Sequence, residues 1–352
     1  MKLPSRIDMN ERLNHYNVAG LSIALINNRQ VSKTEGFGII EKGYINAVNE
    51  KSMFNACSIS KFATSLLVLK LTEEGLLDLD EDINDRLHSW KLPDGPYYPG
   101  NPVTLRALLS HQSGVVDPAG SYYELDHTGY FPTMAELLDG STSYCKEAAT
   151  ITYEPISDFQ YSDTGFCMIQ QLIEDVTREP FHLVMNKLIF EPLLLTNSIY
   201  QPSISASNST QFACGHSKDG HVVNSQHPIY PYDAACGLWS TPTDIALLVI
   251  EIMNALQGNS RIGLSVHTAK EWMSPQLGKA WTGLGIFLDN TEQALEVSSL
   301  GWGVGFQCML VAYPHLGTGA VIMTNTDSAV HQLEGIIGEL YQVLKPQLQE
   351  FA

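Results

Sequence analysis

The stretch FNACSISKFATS, residues 54–65, places Ser58 three positions ahead of Lys61 where the hydrophobic period changes. Beyond it Phe62, Leu66, Leu69 and Leu76 recur at helical spacing, and Gly75 stands where a C-terminal cap belongs. That pattern predicts a helix of about four to five turns, buried on at least one side. Two readings of the opening turn compete. A serine hydroxyl becomes a nucleophile when a neutral amine takes its proton, and positions i and i+3 of a helix share one face. The first helical turn also offers unpaired N–H groups and a positive dipole end, which disfavour an ammonium and can hold an oxyanion. The plain alternative is an N-capping serine followed by a solvated lysine. Spacing alone does not decide, because Ser143 and Lys146 repeat it behind a Gly-Ser-Thr-Ser run with no helical start.

Upstream, residues 19–39 predict a hairpin: Leu21, Ile23 and Leu25 alternate into an Asn27-Asn28 turn and β-favouring residues return. Downstream, residues 80–234 mix short helical patterns with Pro, Gly, Tyr and Ser, and strand signals are scarce. Two helices stand out beyond that start. One follows Tyr161, with Phe166, Ile169, Ile173 and Val176 on a stripe and Pro180 past its end. The other has Thr241 as cap, Pro242 at its first position and Asp244 completing a capping-box pattern. From about 280 the strand period returns in LGIFLD, ALEVSS, FQCMLVAYP and TGAVIMTN, an antiparallel meander, before a helix carrying Leu333, Ile336, Ile337, Leu340 and Leu344. The expected fold class is therefore α+β: an antiparallel sheet flanked by helices, shared by both ends of the chain, with an inserted mainly helical domain. The expected division is 1–80 with 235–352 for the sheet domain and 81–234 for the helical one, the active site lying between them.

The 352 residues carry 38 acidic and 20 basic side chains, a formal charge of −18, which repels phosphate backbones and anionic lipid. Nucleic acid and membrane are not expected partners. No apolar run approaches the roughly 20 residues that span a bilayer, and the opening MKLPSRIDMNERL has no signal-peptide core, so a cytoplasmic location is expected, with secretion the alternative if a signal segment was removed. Six scattered cysteines lack the paired spacings of a zinc site and predict buried free thiols.

Two further elements carry chemistry. In YSDTGF, Tyr161 precedes a helix whose dipole can acidify its phenol for proton transfer; equally, Tyr161 is a packed ring followed by Ser162 or Asp163 as an N-cap. In SSLGWGVGFQCML a glycine-rich turn feeds a strand, where Gly301, Gly303 and Gly305 admit a ligand or another backbone.

In this order and spacing the three elements resemble the serine β-lactamase and penicillin-binding protein superfamily, nearest its class C β-lactamase-like branch. The phrases LRALLSHQSG (105–114) and AACGLWSTPTDIA (234–246) are similar to phrases of that branch, so the resemblance spans about residues 15–345. It implies a β-lactamase/transpeptidase-like fold and a serine acyl hydrolase working through an acyl-enzyme on Ser58. Lys61 and Tyr161 take the family's catalytic positions, and the N–H groups of Ser58 and Trp302 form the oxyanion hole, with His111 in a packing role. No metal or organic cofactor is implied. Two departures bear on the substrate. Asp163 replaces the Asn of the family's Tyr-x-Asn and places a carboxylate near Lys61, unless it is protonated or turned outward as a cap. Ser299-Leu300-Gly301 replaces a Lys-Thr-Gly or His-x-Gly, removing the cation that holds a substrate carboxylate. Asp163, Ser299 and Gly301 are thus the substrate-binding candidates, and a small ester, amide or peptide-like substrate without a free carboxylate is expected. The alternatives are a penicillin-binding D,D-peptidase, a weak β-lactamase, or a catalytically silent ligand-binding relative.

Overall fold

The computed structural model describes residues 7–125, 130–205, 208–290 and 294–350; residues 1–6 of the opening stretch fall outside it. Its strands are β1 (Gly20–Asn27), β2 (Gln30–Gly38), β3 (Phe54–Asn55), β4 (Ile199–Tyr200), β5 (Leu238–Ser240), β6 (Phe287–Asn290), β7 (Leu295–Gly303), β8 (Phe306–Tyr313) and β9 (Thr318–Thr324). The hairpin turn falls on Asn28 and Arg29, at φ 52° and 57°. Two left-handed residues in a two-residue turn give the twist that antiparallel strands need. β6 to β9 form the expected meander, and β1 pairs with β9 from Leu21↔Thr324 to Ile26↔Gly319. The resulting order is β2-β1-β9-β8-β7-β6, antiparallel throughout, so the two ends of the chain share one sheet.

Period-2 alternation sends each strand's apolar residues to two cores. Leu21, Ile23 and Leu25 face outward with Met309, Val311 and Ile322, under the helices Met9–His15 and Ile336–Gln349. Ala24, Ile26, Leu310 and Val321 face the opposite way, into the larger core that includes the helices Ile59–Glu73 and Pro242–Ala255. Leu333 does not belong to the terminal helix: it sits in a separate 3₁₀ turn, exposed, because Gly335 is extended and interrupts the period.

The Ile59–Glu73 helix is buried on nearly every side, more than its apolar stripe predicts. Leu76 is not on it, since Gly75 at φ +72° ends the helix and leaves Leu76 exposed. Such burial obliges its polar residues to find partners. Ser60 donates to Cys57 O (2.6 Å) and accepts from Leu238 N–H (3.1 Å), Thr64 donates to Ala234 O (2.8 Å), and Trp272 Nε1–H donates to Ser65 Oγ (3.2 Å). In the Pro242–Ala255 helix, Thr241 accepts from Asp244 N–H at 3.2 Å, but the reciprocal half of the capping box is missing. The Asp244 carboxylate instead accepts from Asn197 N–H (2.8 Å) and Ser198 Oγ (3.0 Å), tying the approach to β4 onto this helix. β3, β5 and β4 make a small second sheet that pins the residues just ahead of Ser58. Among the described residues no helix is long and apolar enough to cross a membrane.

Candidate active site

Ser58 caps the Ile59–Glu73 helix through its position rather than its hydroxyl, which makes no capping hydrogen bond. The turn before it is tightly held. Ala56 N–H donates to Leu238 O (2.8 Å), Cys57 N–H donates to Asn55 Oδ1 (2.8 Å), and Cys57 adopts φ 49°. A non-glycine residue in the left-handed region is held by surroundings that over-determine it, a pattern that gathers at functional sites.

Lys61 is 2% exposed, and its ammonium is surrounded. Nζ donates to Ser58 Oγ (3.1 Å), Asp163 Oδ1 (2.5 Å) and Ala235 O (3.1 Å), and lies 4.8 Å from the Tyr161 ring centroid. The plain alternative of a solvated lysine is thereby excluded. Burial works to lower the Lys61 pKa, but the charge and hydrogen bond of Asp163 outweigh it and hold it well above the ordinary lysine value. Near neutral pH Lys61 is therefore an ammonium, and its proton must move before it can accept one from Ser58.

Tyr161 stacks on His111 with centroids 4.3 Å apart and planes at 27°, and it lines the same pocket as Ser58. Burial raises its pKa, the Lys61 charge opposes, and Asp163 adds to the rise. His111 is buried, at φ 57°, and its Nδ1 accepts from Ser162 N–H at 3.2 Å. Burial, then the Lys61 charge, lower its pKa to about 3, so the ring is neutral and serves as a shelf for Tyr161.

Asp163 is the first residue of the Asp163–Thr177 helix; Ser162 is its cap, accepting from Gly165 N–H at 3.0 Å. Asp163 is thus free of capping duty and turned onto Lys61. Asp117, which the sequence reading missed, organises this corner. Its carboxylate accepts from Ser162 Oγ (2.8 Å), Asp163 N–H (2.9 Å), Thr164 N–H (2.8 Å) and Thr164 Oγ1 (2.8 Å). No sequence signal announces it, since it sits 45 residues from Ser162. Cys236 was likewise anticipated only as a buried thiol, as all six cysteines are. Its sulfur lies 3.7 Å from Ser58 Oγ and 3.9 Å from both Lys61 Nζ and Asp163 Oδ1. Burial, then the Asp163 charge, raise its pKa against the pull of Lys61, so it is a neutral thiol.

The third element differs from the turn expected. Gly301, Trp302 and Gly303 lie within β7 itself, and the turn to β8 is Val304-Gly305, with Gly305 at φ +74°. Gly301 serves a neighbouring backbone: a Cβ there would stand 2.4 Å from Ala56 O and 3.3 Å from Cys57 Cβ. β7 is thereby laid against the turn that carries Ser58. Gly303↔Phe306 closes the two-residue hairpin, so alternation turns the N–H of Trp302 away from β8. On that side β6 pairs no farther than Ser298, and the β7 edge from Ser299 onward is open. The Trp302 side chain is 42% exposed, and its Nε1–H donates to Asp327 Oδ1 at 2.9 Å.

Ser58, Lys61, His111, Tyr161, Ser299 and Phe287 are among the residues lining one narrow pocket, with a cavity volume of about 10 Å³. That is room for about one water. Ser143 and Lys146, the second Ser-x-x-Lys, are exposed in an irregular segment. Among the described residues no cluster of three or more His, Cys, Asp or Glu side chains is arranged to hold a metal ion.

The family profile described as Beta-lactamase matches residues 8–336. The chain belongs to the Beta-lactamase family. Among curated relatives, N-acetylmuramyl-L-alanine amidase of Bacillus subtilis (strain 168) is 24% identical over 295 residues, 77% of this chain and 64% of the relative. Penicillin-binding protein 4* of the same organism is 26% identical over 186 residues, 53% of this chain and 39% of the relative. The chain thus spans less than two thirds of these relatives' lengths. Among solved structures, the D-amino acid amidase from Ochrobactrum anthropi SV3 complexed with L-phenylalanine superposes with a TM-score of 0.75 at 21% identity, covering 97% of this chain and 99% of that one. The octameric penicillin-binding protein homologue from Pyrococcus abyssi gives 0.75 at 21% identity, covering 96% and 76%. The α+β, β-lactamase/transpeptidase-like fold expected from the motifs is the fold of the family.

Proposed function

We propose that this protein is a serine acyl hydrolase in which Ser58 forms the acyl-enzyme, acting on esters or amides. One observation carries the reading: Ser58 Oγ, at the start of a buried helix, is 3.1 Å from Lys61 Nζ, and Tyr161 lines the same pocket. In the proposed cycle Ser58 Oγ bonds to the substrate carbonyl carbon and its proton passes into the Lys61–Asp163–Tyr161 group. The oxyanion sits between the N–H groups of Ser58 and Trp302, where loss of one donor costs on the order of 3 kcal/mol in comparable hydrolases. The proton then goes to the leaving alcohol or amine, and water cleaves the ester on Ser58 to release the acid.

Two features favour substrates lacking a free carboxylate. Ser299 is uncharged where the family places a cation, and the Lys61 charge is engaged by Asp163 at 2.5 Å. The site also draws Ser58 and Lys61 from the proposed 1–80/235–352 division and Tyr161 and Asp163 from 81–234, which meet at the 2.5 Å Lys61–Asp163 contact. Replacing Ser58 by Ala tests the function: hydrolysis of p-nitrophenyl acetate or butyrate must disappear, and wild-type rates in that variant would refute the reading. The strong Lys61–Asp163 pair favours one second reading, a ligand-binding relative without turnover. A fluorophosphonate probe that labels wild type and not Ser58→Ala excludes it.

A further inference from the structure

The pocket over Ser58 has a volume of only about 10 Å³, so little more than the reacting carbonyl fits there. The body of any substrate must lie outside it, against whatever forms the mouth. That mouth is aromatic. Phe287, a pocket residue at the start of β6, stacks with Trp281 at 6.3 Å between centroids and 20° between planes. Phe159 meets Trp281 edge-on at 4.4 Å and His111 at 5.6 Å, and His111 in turn stacks on Tyr161. A continuous run of rings therefore leads from the Lys61–Tyr161 contact to solvent, ending at Trp281, which is 43% exposed. The backbone carrying the indole is held, because Trp281 O accepts from Leu288 N–H at 2.9 Å and the neighbouring Thr282 bridges to Phe287, and the ring itself packs between Phe159 and Phe287. Beside these rings, Lys279 and Asp158 pair with each other at 3.5 Å.

A rigid, half-exposed indole continuous with a pocket too small for more than a carbonyl is suited to one chemical group. We propose that Trp281, backed by Phe159 and Phe287, binds an uncharged aromatic ring of the substrate, so that aryl-bearing esters or amides are preferred over small aliphatic ones. Aromatic rings attract one another in offset or edge-on arrangements beyond what burial alone supplies. This proposal rests on the hydrolase reading for its catalytic consequence, but not for ring binding itself, and Trp281 acts as a specificity residue without touching the reacting atoms.

The experiment compares wild type, Trp281→Ala and Trp281→Leu on methyl acetate, methyl phenylacetate and benzyl acetate, which place the ring on neither, the acyl or the alcohol side. The Leu variant keeps apolar surface and removes only the ring. The expected result is a lower KM for at least one ring-bearing ester than for methyl acetate, with that advantage reduced about 2- to 13-fold in both variants, kcat and methyl acetate kinetics unchanged. Calorimetric titration of Ser58→Ala, with and without Trp281→Leu, against phenylacetamide and acetamide reads ring binding without turnover. If no ester is hydrolysed but phenylacetamide binds through Trp281, the hydrolase reading fails and this one stands. Equal KM ratios across the three proteins, or phenylacetamide binding unchanged by Trp281→Leu, overturns it.

Discussion

Replacing Asp163 by Asn probes the feature that separates this site most sharply from its family's pattern. The substitution is nearly isosteric and removes one negative charge 2.5 Å from Lys61 Nζ. At an effective dielectric of about 20, two unit charges at that distance attract by roughly 6–7 kcal/mol. That attraction holds Lys61 as an ammonium against a burial that would otherwise favour the neutral amine. Because Lys61 is raised above its ordinary value, the pair's stabilisation is complete near neutral pH and fades only as pH climbs beyond the ordinary lysine range. In the Asn variant burial prevails, and the neutral amine proposed to accept the Ser58 proton becomes populated at lower pH. If a fifth of the attraction is removed from the barrier, hydrolysis near neutral pH accelerates about tenfold. The acid limb of kcat/KM then moves to lower pH, while folding stability falls by about 3–5 kcal/mol through loss of a buried partner. Initial rates of p-nitrophenyl acetate hydrolysis across pH, with urea denaturation alongside, measure both. A variant slower than wild type with an unshifted pH profile would refute the reasoning. It would mean that the ammonium is the working state or that Asp163 itself carries the proton.

Three other outcomes follow from the same geometry. Asp117→Ala removes four hydrogen bonds at the start of the Asp163–Thr177 helix and should cost about 2 kcal/mol in chemical denaturation, with a lower kcat as Asp163 and Tyr161 loosen. Gly301→Ala forces a Cβ to within 2.4 Å of Ala56 O; the turn before Ser58 must shift, and about 100-fold of kcat should be lost while circular dichroism stays native. Asp233 is buried with Oδ1 unpartnered, and burial raises its pKa to about 7, against the Gln201 hydrogen bond and with the Glu174 charge adding. The folded state therefore keeps that proton between the ordinary carboxylate value and about 7, and stability falls as pH rises through that window, by about 4 kcal/mol in all. Asp233→Asn should flatten this dependence, with Tm higher than wild type above neutral pH and little changed in acid.

Much of the frame is legible in local pattern because local rules generate it. The alternation of Leu21, Ile23 and Leu25 defines one face of β1, while the turn falls one residue later than the Asn27-Asn28 expected, on Asn28 and Arg29 as a left-handed pair. Period 3.6 and a cap located the helices at Ser58, Ser162 and Thr241 within a residue or two. Where a nonlocal contact competes, local signals fail. Asp244 carries the capping-box residue, yet its carboxylate is taken by Asn197 and Ser198. Leu76 and Leu333 keep the helical spacing beyond a glycine that ends the regular backbone.

The candidate site divides along the same line. Three ordered motifs determined that Ser58, Lys61 and Tyr161 belong together and that Asp163 and Ser299 are the unusual positions, because residue type and order are properties of the chain. Only the tertiary structure decided that Asp163 is turned onto Lys61 and not into the solvent, that Asp117 and Ser162 relieve it of capping, and that Gly301 makes room for Ala56 O. Those outcomes depend on distances between segments tens to hundreds of residues apart. Charge, burial and close approach act through space, and sequence spacing does not encode them.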